Sequence, residues 1–224
     1  MRDIEARIFA AGMPVAALME KVAALITRRI EEILLQGEKR SFSGDSSPIS
    51  PSPHIGILAG PGHNGGDALV VARELYFRGY QVSVYCPLSK VKELTSQHLQ
   101  YVRSLGIPCY ESIEKLQDCD CFIDGLFGFG LERDITEPIA SAIALLNQWN
   151  KPIFSIDLPS GLHTNTGKVM GIAVGATYTL CLGLWKLGLL EDQALEYIGK
   201  AELIDFDIQY TDVQAVLGES PKIK

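Results

Sequence analysis

A chain of 224 residues with 47% hydrophobic and 21% charged residues has a globular composition, long enough for one large core, and whole-chain disorder is excluded. Twenty Lys and Arg against 27 Asp and Glu give a net charge of −7, an acidic balance that repels phosphate backbones and argues against nucleic-acid binding. No apolar run reaches the roughly 18 residues of a membrane span, and Met1-Arg2-Asp3-Ile4-Glu5 lacks a secretory signal's pattern, so the cytoplasm is the expected compartment.

Residues 3–35 read as helix, because Leu18, Val22, Leu25, Ile26, Ile30 and Ile33 recur at helical spacing, with Gly37 placed to cap the end. The Ser-, Pro- and Gly-rich stretch that follows, within 37–53, reads as a surface loop. From His54 onward short apolar runs alternate with amphipathic ones. Strands are expected at His54–Ala59, Gln81–Cys86, Ile107–Tyr110, Cys119–Asp124, Pro152–Asp157, Ala176–Leu182 and Ala201–Phe206. Helices are expected at Asp67–Arg78, Leu94–Leu105 and Ile135–Trp149, and a frayed tail at 218–224. This alternation predicts βαβ units around a buried parallel sheet. The five cysteines, an odd number set largely in apolar runs, read as reduced, buried thiols, with Cys119 and Cys121 on one face of a strand.

In such sheets ligands bind beyond the carboxyl ends of the strands, so the residues after each strand carry the functional reading. Gly60-Pro61-Gly62-His63-Asn64-Gly65-Gly66-Asp67 follows a strand and opens a helix, where glycines allow close approach and free N–H groups favour an anion. Gly60, Gly62 and Gly65 satisfy G-x-G-x-x-G, but the next strand ends Tyr85-Cys86-Pro87-Leu88 with no acid for a ribose, which counts against an ordinary NAD-dependent oxidoreductase. Asp124 closes an apolar strand and leads into a glycine-rich loop carrying Arg133. Asp157 closes another and leads into a tight turn, Pro159-Ser160-Gly161. Asn64, Asp124 and Ser160 are hard oxygen donors suited to a cation, and Lys186, alone in the apolar run Leu182–Gly188, is within reach of a phosphate or of the crevice. The Asp157, Ser160 and His163 set lacks the spacing of a hydrolase triad.

Five segments in order carry a family resemblance: Arg2–Ala23 with Leu18-Met19-Glu20, then GPGHNGGDALVVAREL, IDGLFGFGLERD, SIDLPSGLHTNTG and LGLWKLGL. Together they span nearly the whole chain, which resembles the NAD(P)H-hydrate epimerases, the YjeF N-terminal domain family. The resemblance implies a Rossmann-like three-layer α/β/α sandwich with a mostly parallel sheet and an N-terminal helical extension, as one domain over 1–224. It implies conversion of the R form of hydrated NADH or NADPH to the S form, ahead of an ATP- or ADP-dependent dehydratase that is fused or separate.

Carried over by motif, His63, Asn64, Gly65, Gly66 and Asp67 would contact substrate, as would Gly128, Phe129, Gly130, Leu131, Glu132, Arg133 and Asp134. His63 departs from the family's usual Asn. Asp157 would sit on the reacting ring as general acid/base. One K⁺ per subunit would be held by Asn64, Asp124 and Ser160. A homodimer is implied, and the apolar face at Leu18–Leu34 is available either for it or for packing on the sheet. The alternative from another class is a non-catalytic nucleotide-binding or dimerisation module of the same fold; retention of Asn64, Asp124 and Asp157 together favours the enzyme.

Overall fold

A computed structural model describes residues 1–41 and 52–218, so most of the loop expected over 37–53 and of the tail expected over 218–224 lies outside the described residues. The strands are His54–Ala59 (β1), Gln81–Tyr85 (β2), Cys109–Tyr110 (β3), Cys121–Gly125 (β4), Ile153–Ile156 (β5), Tyr178–Leu182 (β6) and Lys200–Ile204 (β7). They form one sheet in the order β3-β2-β1-β4-β5-β6-β7, and every neighbouring pair is parallel. The order reverses between β1 and β4, which opens a crevice beyond their carboxyl ends.

The helices are Arg2–Ala10 (α1), Val15–Ser41 (α2), His63–Phe77 (α3), Glu93–Ser104 (α4), Ile139–Gln148 (α5), Leu195–Ile198 (α6) and Tyr210–Leu217 (α7). Two layers cover the sheet. On one face α2, α3 and α4 bury Ile26, Ile30, Leu69, Leu75 and Val102 against Ile55, Ile57, Val84, Ile123 and Phe154. On the other, α5 and a 3₁₀ turn at Ile113–Leu116 bury Ile139, Ile143, Leu146 and Leu116 against Leu58, Tyr85, Phe122 and Ile153. Strands sandwiched this way have no polar face, which is why β1 and β4 read as continuous apolar runs. Gly56 makes room for the Phe122 ring, since a Cβ there would lie 2.6 Å from it.

The helix expected over 3–35 is two helices, broken at Ala11–Pro14, where Gly12 takes φ +104°. Gly37 does not end α2, which continues to Ser41. The helix expected from Asp67 starts four residues earlier, at His63, and the one expected from Ile135 starts at Ile139, directly after Pro138, whose ring disfavours helical backbone in the residue before it. Cys119 and Cys121 do not share a face: Cys119 is buried with Leu116 and Phe122, Cys121 with Ile55 and Ile123. The apolar face of α2 is used inside the chain, where Leu18, Met19, Val22, Ala23, Ile26 and Ile30 are all buried. α6 and α7 were not expected.

A charged clamp fastens α2 to the edge strand β7. Arg29 donates to both Glu202 oxygens, at 2.6 and 3.0 Å, and this pulls the Glu202 carboxyl down to about 2 from an ordinary 4.5. A depressed carboxyl stabilises the fold above its unfolded value, and the contribution is lost as pH falls through the folded one. Glu202→Gln is therefore expected to cost about 1–2 kcal/mol at neutral pH, after allowance for partial exposure. The gap to wild type should narrow steadily below about pH 4.5, as read from urea unfolding midpoints across that range.

Candidate functional site

The crevice floor is built by backbone that admits no side chains. Gly60 N–H donates to Gly125 O at 3.1 Å, joining the loop after β1 to the end of β4. A Cβ on Gly60 would lie 1.7 Å from Leu126 O, one on Gly65 1.9 Å from Gly60 O, and one on Gly125 2.4 Å from Ala68 Cβ. Two glycines at the start of a helix are poor helix formers, but the fit of Gly65 and Gly66 against Gly60 and Met19 starts α3 at His63. Gly65→Ala is expected to destabilise by about 3 kcal/mol or more, because the obstacle is backbone. Gly62→Ala, where a Cβ meets nothing within 4 Å, should cost about 1 kcal/mol or less, and thermal unfolding of the pair checks the contrast.

Asp124, at the end of β4, is fully buried. Its Oδ1 accepts from Leu126 N–H (3.2 Å) and Ser160 Oγ–H (2.5 Å), and its Oδ2 from Ser155 Oγ–H and Ser160 N–H (both 2.8 Å). Burial pushes this carboxyl up from its ordinary value, while the four donated bonds pull it down. Ser160 Oγ also accepts from Phe127 N–H at 2.8 Å, so one hydroxyl ties the β4 loop to the β5 loop. The turn that presents Ser160 depends on Gly161, at φ +104° with Ile172 O 1.9 Å from where a Cβ would stand.

Asp157 follows β5 and is buried in the left-handed region at φ +70°, which Asp tolerates better than most residues. Its Oδ2 accepts from Phe129 N–H at 3.0 Å and its Oδ1 from Leu182 N–H at 3.3 Å. Lys186 is also buried, ion-paired with Asp157 and donating to Leu182 O at 2.5 Å. The Asn64 amide and the Asp157 carboxylate straddle Gly128, each 3.1 Å from the position of a Cβ on it. Asn64 Nδ2 is buried with no hydrogen-bond partner among the described residues.

The structure thus gathers Asn64, Gly65, Gly66, Gly128, Asp157 and the Asp124–Ser160 pair at one strand-end crevice. Phe129 and Leu131 are half-buried, packed against the core below. His63 and Gly130 lie on the rim; partial desolvation of the His63 ring, then the Lys92 charge, lowers its affinity for a proton. Glu132, Arg133 and Asp134 are exposed, with Glu132 3.6 Å from Arg2. Asp67 is half-buried on α3, four residues after its first residue His63, and its carboxyl is pushed well up by burial, then by the charges of Asp157 and Glu5. The sequence offered Lys186 as reaching either a phosphate or the crevice; it is locked onto Asp157. Glu5 was not anticipated. It comes from α1, far away in sequence, and no local pattern distinguishes it from a surface acid.

Among the described residues no group of three His, Cys, Asp or Glu side chains is gathered as for a metal ion, and no helix is long and apolar enough to cross a membrane. The family described as "YjeF-related protein N-terminus" matches residues 15–188. The chain is 47% identical over 222 residues to a protein of Thermosynechococcus vestitus named bifunctional NAD(P)H-hydrate repair enzyme Nnr, covering 99% of this chain but only 41% of that protein. It is 35% identical over 204 residues to an NAD(P)H-hydrate epimerase of Levilactobacillus brevis (90% and 87% covered), and 30% identical over 199 residues to one of Oenococcus oeni (88% of each). Among solved structures, that of yeast YNL200c superposes with a TM-score of 0.70 at 23% identity, over 90% of this chain and 84% of that one, a likeness of fold. A doubly wound sheet switching at β1 and β4, a glycine loop packed on backbone and a left-handed Asp at the crevice all accompany that sequence match, and the chain belongs to the YjeF-related N-terminal family.

Proposed function

We propose that this chain is an isomerase acting on hydrated NADH and NADPH, converting the R epimer at the hydroxyl-bearing ring carbon into the S epimer. The S form then serves a dehydratase, fused or separate. The observation that carries the reading is Asp157, buried with a positive φ at the end of β5, one strand from the switch in strand order, ion-paired to Lys186 and sharing with Asn64 the space beside Gly128. The epimerase names of the relatives support the same reading.

The reacting carbon carries its hydroxyl next to the ring nitrogen. Loss of the hydroxyl, assisted by the nitrogen lone pair, gives an iminium cation, and water returning to the opposite face gives the other epimer. The negative charge of Asp157 pushes the carboxyls of Asp67 and Glu5 up, so it is felt across the crevice despite its ion pair with Lys186. That charge favours positive charge developing on the ring. Asp157 already accepts two N–H groups and the Lys186 ammonium, so it enters the reaction as a fixed acceptor of a proton and a stabiliser of that charge.

A K⁺ ion, one per subunit, fits the residues present and would be held by Asn64, Asp124 and Ser160. Ser160 Oγ keeps a lone pair after accepting from Phe127, and Asp124 supplies the negative charge. The buried amide end of Asn64 lacks an acceptor where a turned carbonyl oxygen would instead meet a cation. When bound, the ion would offset the neighbouring carboxylates and hold the two loops together.

The test is to add the protein to the purified R epimer of hydrated NADH, with K⁺ or with the ion replaced, and to follow the epimer ratio by chromatography. Rapid approach to the equilibrium mixture, fastest with K⁺, is expected. A rate no greater than the spontaneous one would overturn the reading.

A further inference from the structure

The matched family region begins at Val15, so α1 stands outside it, yet α1 is firmly docked beside the crevice. Ile4 is fully buried, and Met1 and Phe9 pack against the core on the α2–α3 side of the sheet. Arg7 donates to Asp212 of α7 at 2.8 Å. The Arg2 guanidinium reaches over Gly130, 3.3 Å from where a Cβ would stand, and lies 3.6 Å from Glu132. Glu5, half-buried one turn further along α1, is thereby brought into the field of Asp157, Lys186 and Asp67.

We propose that Glu5, delivered by α1, is a second acid–base residue of this crevice, the proton donor that complements Asp157. The proposal rests on the epimerase reading. Among the described residues no hydrogen bond occupies the Glu5 carboxyl, whereas Asp157 is occupied as an acceptor by Phe129, Leu182 and Lys186. The two carboxyls are thus set for opposite roles.

In the step assigned to Glu5, its O–H proton passes to the ring hydroxyl oxygen while the carbon–oxygen bond breaks with its electron pair. Water departs, the nitrogen lone pair forms the C=N bond of the iminium, and Glu5 is left as a carboxylate. Water then adds to the opposite face. The proton it releases goes to Asp157 or Glu5, and exchange with solvent resets both groups.

Charge and burial support the assignment. The Glu5 carboxyl is pushed up to about 7 from an ordinary 4.5, by burial first and then by the Asp157 charge, against the opposing pulls of Lys186, the N-terminal amine and Lys92. Nearby, Asp67 adds a further carboxyl, and Arg2–Glu132 and Arg7–Asp212 are paired with each other. An acid in that range still holds its proton near neutrality and can give it up.

The experiment measures epimerisation of the R epimer from about pH 5.5 to about pH 9 for wild type, Glu5→Gln, Glu5→Asp and, as a control on the same helix, the exposed Asp3→Asn. Wild type should lose rate above about pH 7 as Glu5 loses its proton. Glu5→Gln should lower kcat by about 10²-fold with KM nearly unchanged, and should lack that alkaline limb. Glu5→Asp should restore part of the rate, and Asp3→Asn should match wild type. Independently of activity, carbon NMR of labelled Glu side chains should show Glu5 titrating near neutrality and shifting to lower pH in Asp157→Asn. A Glu5→Gln variant that keeps both wild-type kcat and the alkaline limb overturns the Glu5 assignment while the epimerase reading stands. Wild-type protein without epimerase activity overturns both.

Discussion

Asp157→Asn is expected to lower the epimerisation rate by about 10²–10⁴-fold at neutral pH while the protein still folds. The amide removes the proton acceptor and its negative charge, but it preserves much of the geometry. Asn tolerates the left-handed backbone that Asp157 adopts at φ +70°. Its Oδ1 still accepts from Leu182 N–H or from Lys186. The Lys186 ammonium loses its ionic partner in a buried place but keeps Leu182 O, so a cost of about 1–2 kcal/mol is expected. Asp157→Ala is the informative contrast. It leaves Lys186 without any side-chain acceptor and puts a residue intolerant of positive φ at the strained position, for a loss of about 3–5 kcal/mol. If both variants lose the same activity while only the alanine variant loses most of its stability, the Asp157 carboxylate is functional and its acceptor geometry structural. If Asp157→Asn retains most of its rate, the proton is handled elsewhere in the crevice.

The strands and the acids at their ends were legible in the sequence because they follow from short-range physics. A strand covered on both faces must be apolar throughout, so His54–Ala59 and the run ending at Asp124 stand out, and a carboxylate directly after such a run has to be at the open edge of the sheet. The glycine loop was legible for a similar reason, as nothing but close backbone contact requires so many residues without a Cβ. What escaped depends on where distant segments meet. The first turn of α3 reads as loop because Gly65-Gly66 has low helix propensity, and only Gly60, Leu126 and Met19 make it helical. Lys186 reads as reaching a phosphate or the crevice, and only the position of the segment after β6 shows that its partner is Asp157. Glu5 reads as one acid among several on an amphipathic helix, and its role appears only once Ile4 docks α1 beside the crevice. Gly37 and the pair Cys119 and Cys121 show the opposite error. Local rules supplied a cap and a shared face, but the helix runs on past Gly37 to Ser41, and β4 begins only at Cys121, which leaves Cys119 outside the strand and in the opposite layer.

Asp124→Leu is expected to destabilise the fold by about 4 kcal/mol or more, the largest loss among the crevice residues. The side chain has the same branched shape, so the main cost is one of hydrogen bonds, to which the larger methyl groups add crowding. Four donors converge on the Asp124 carboxylate, two of them serine hydroxyls and two the backbone N–H groups of Leu126 and Ser160. The hydroxyls can turn to other acceptors, and Phe127 O already lies 3.2 Å from Ser160 Oγ. The backbone groups are fixed by their loops, and each buried N–H left without a partner costs about 1–3 kcal/mol. Asp124→Asn should fall between, near 2–3 kcal/mol, since one oxygen retains two of the donors while the amide nitrogen opposes the other two. Urea unfolding of the three proteins tests the order. The same series separates the two roles of this carboxylate, because Asn conserves much of the loop geometry while removing the charge that would draw a cation. An Asn variant that folds but no longer responds to K⁺ assigns the cation dependence to that charge, whereas a variant that folds and responds like wild type removes Asp124 from the proposed ligand set.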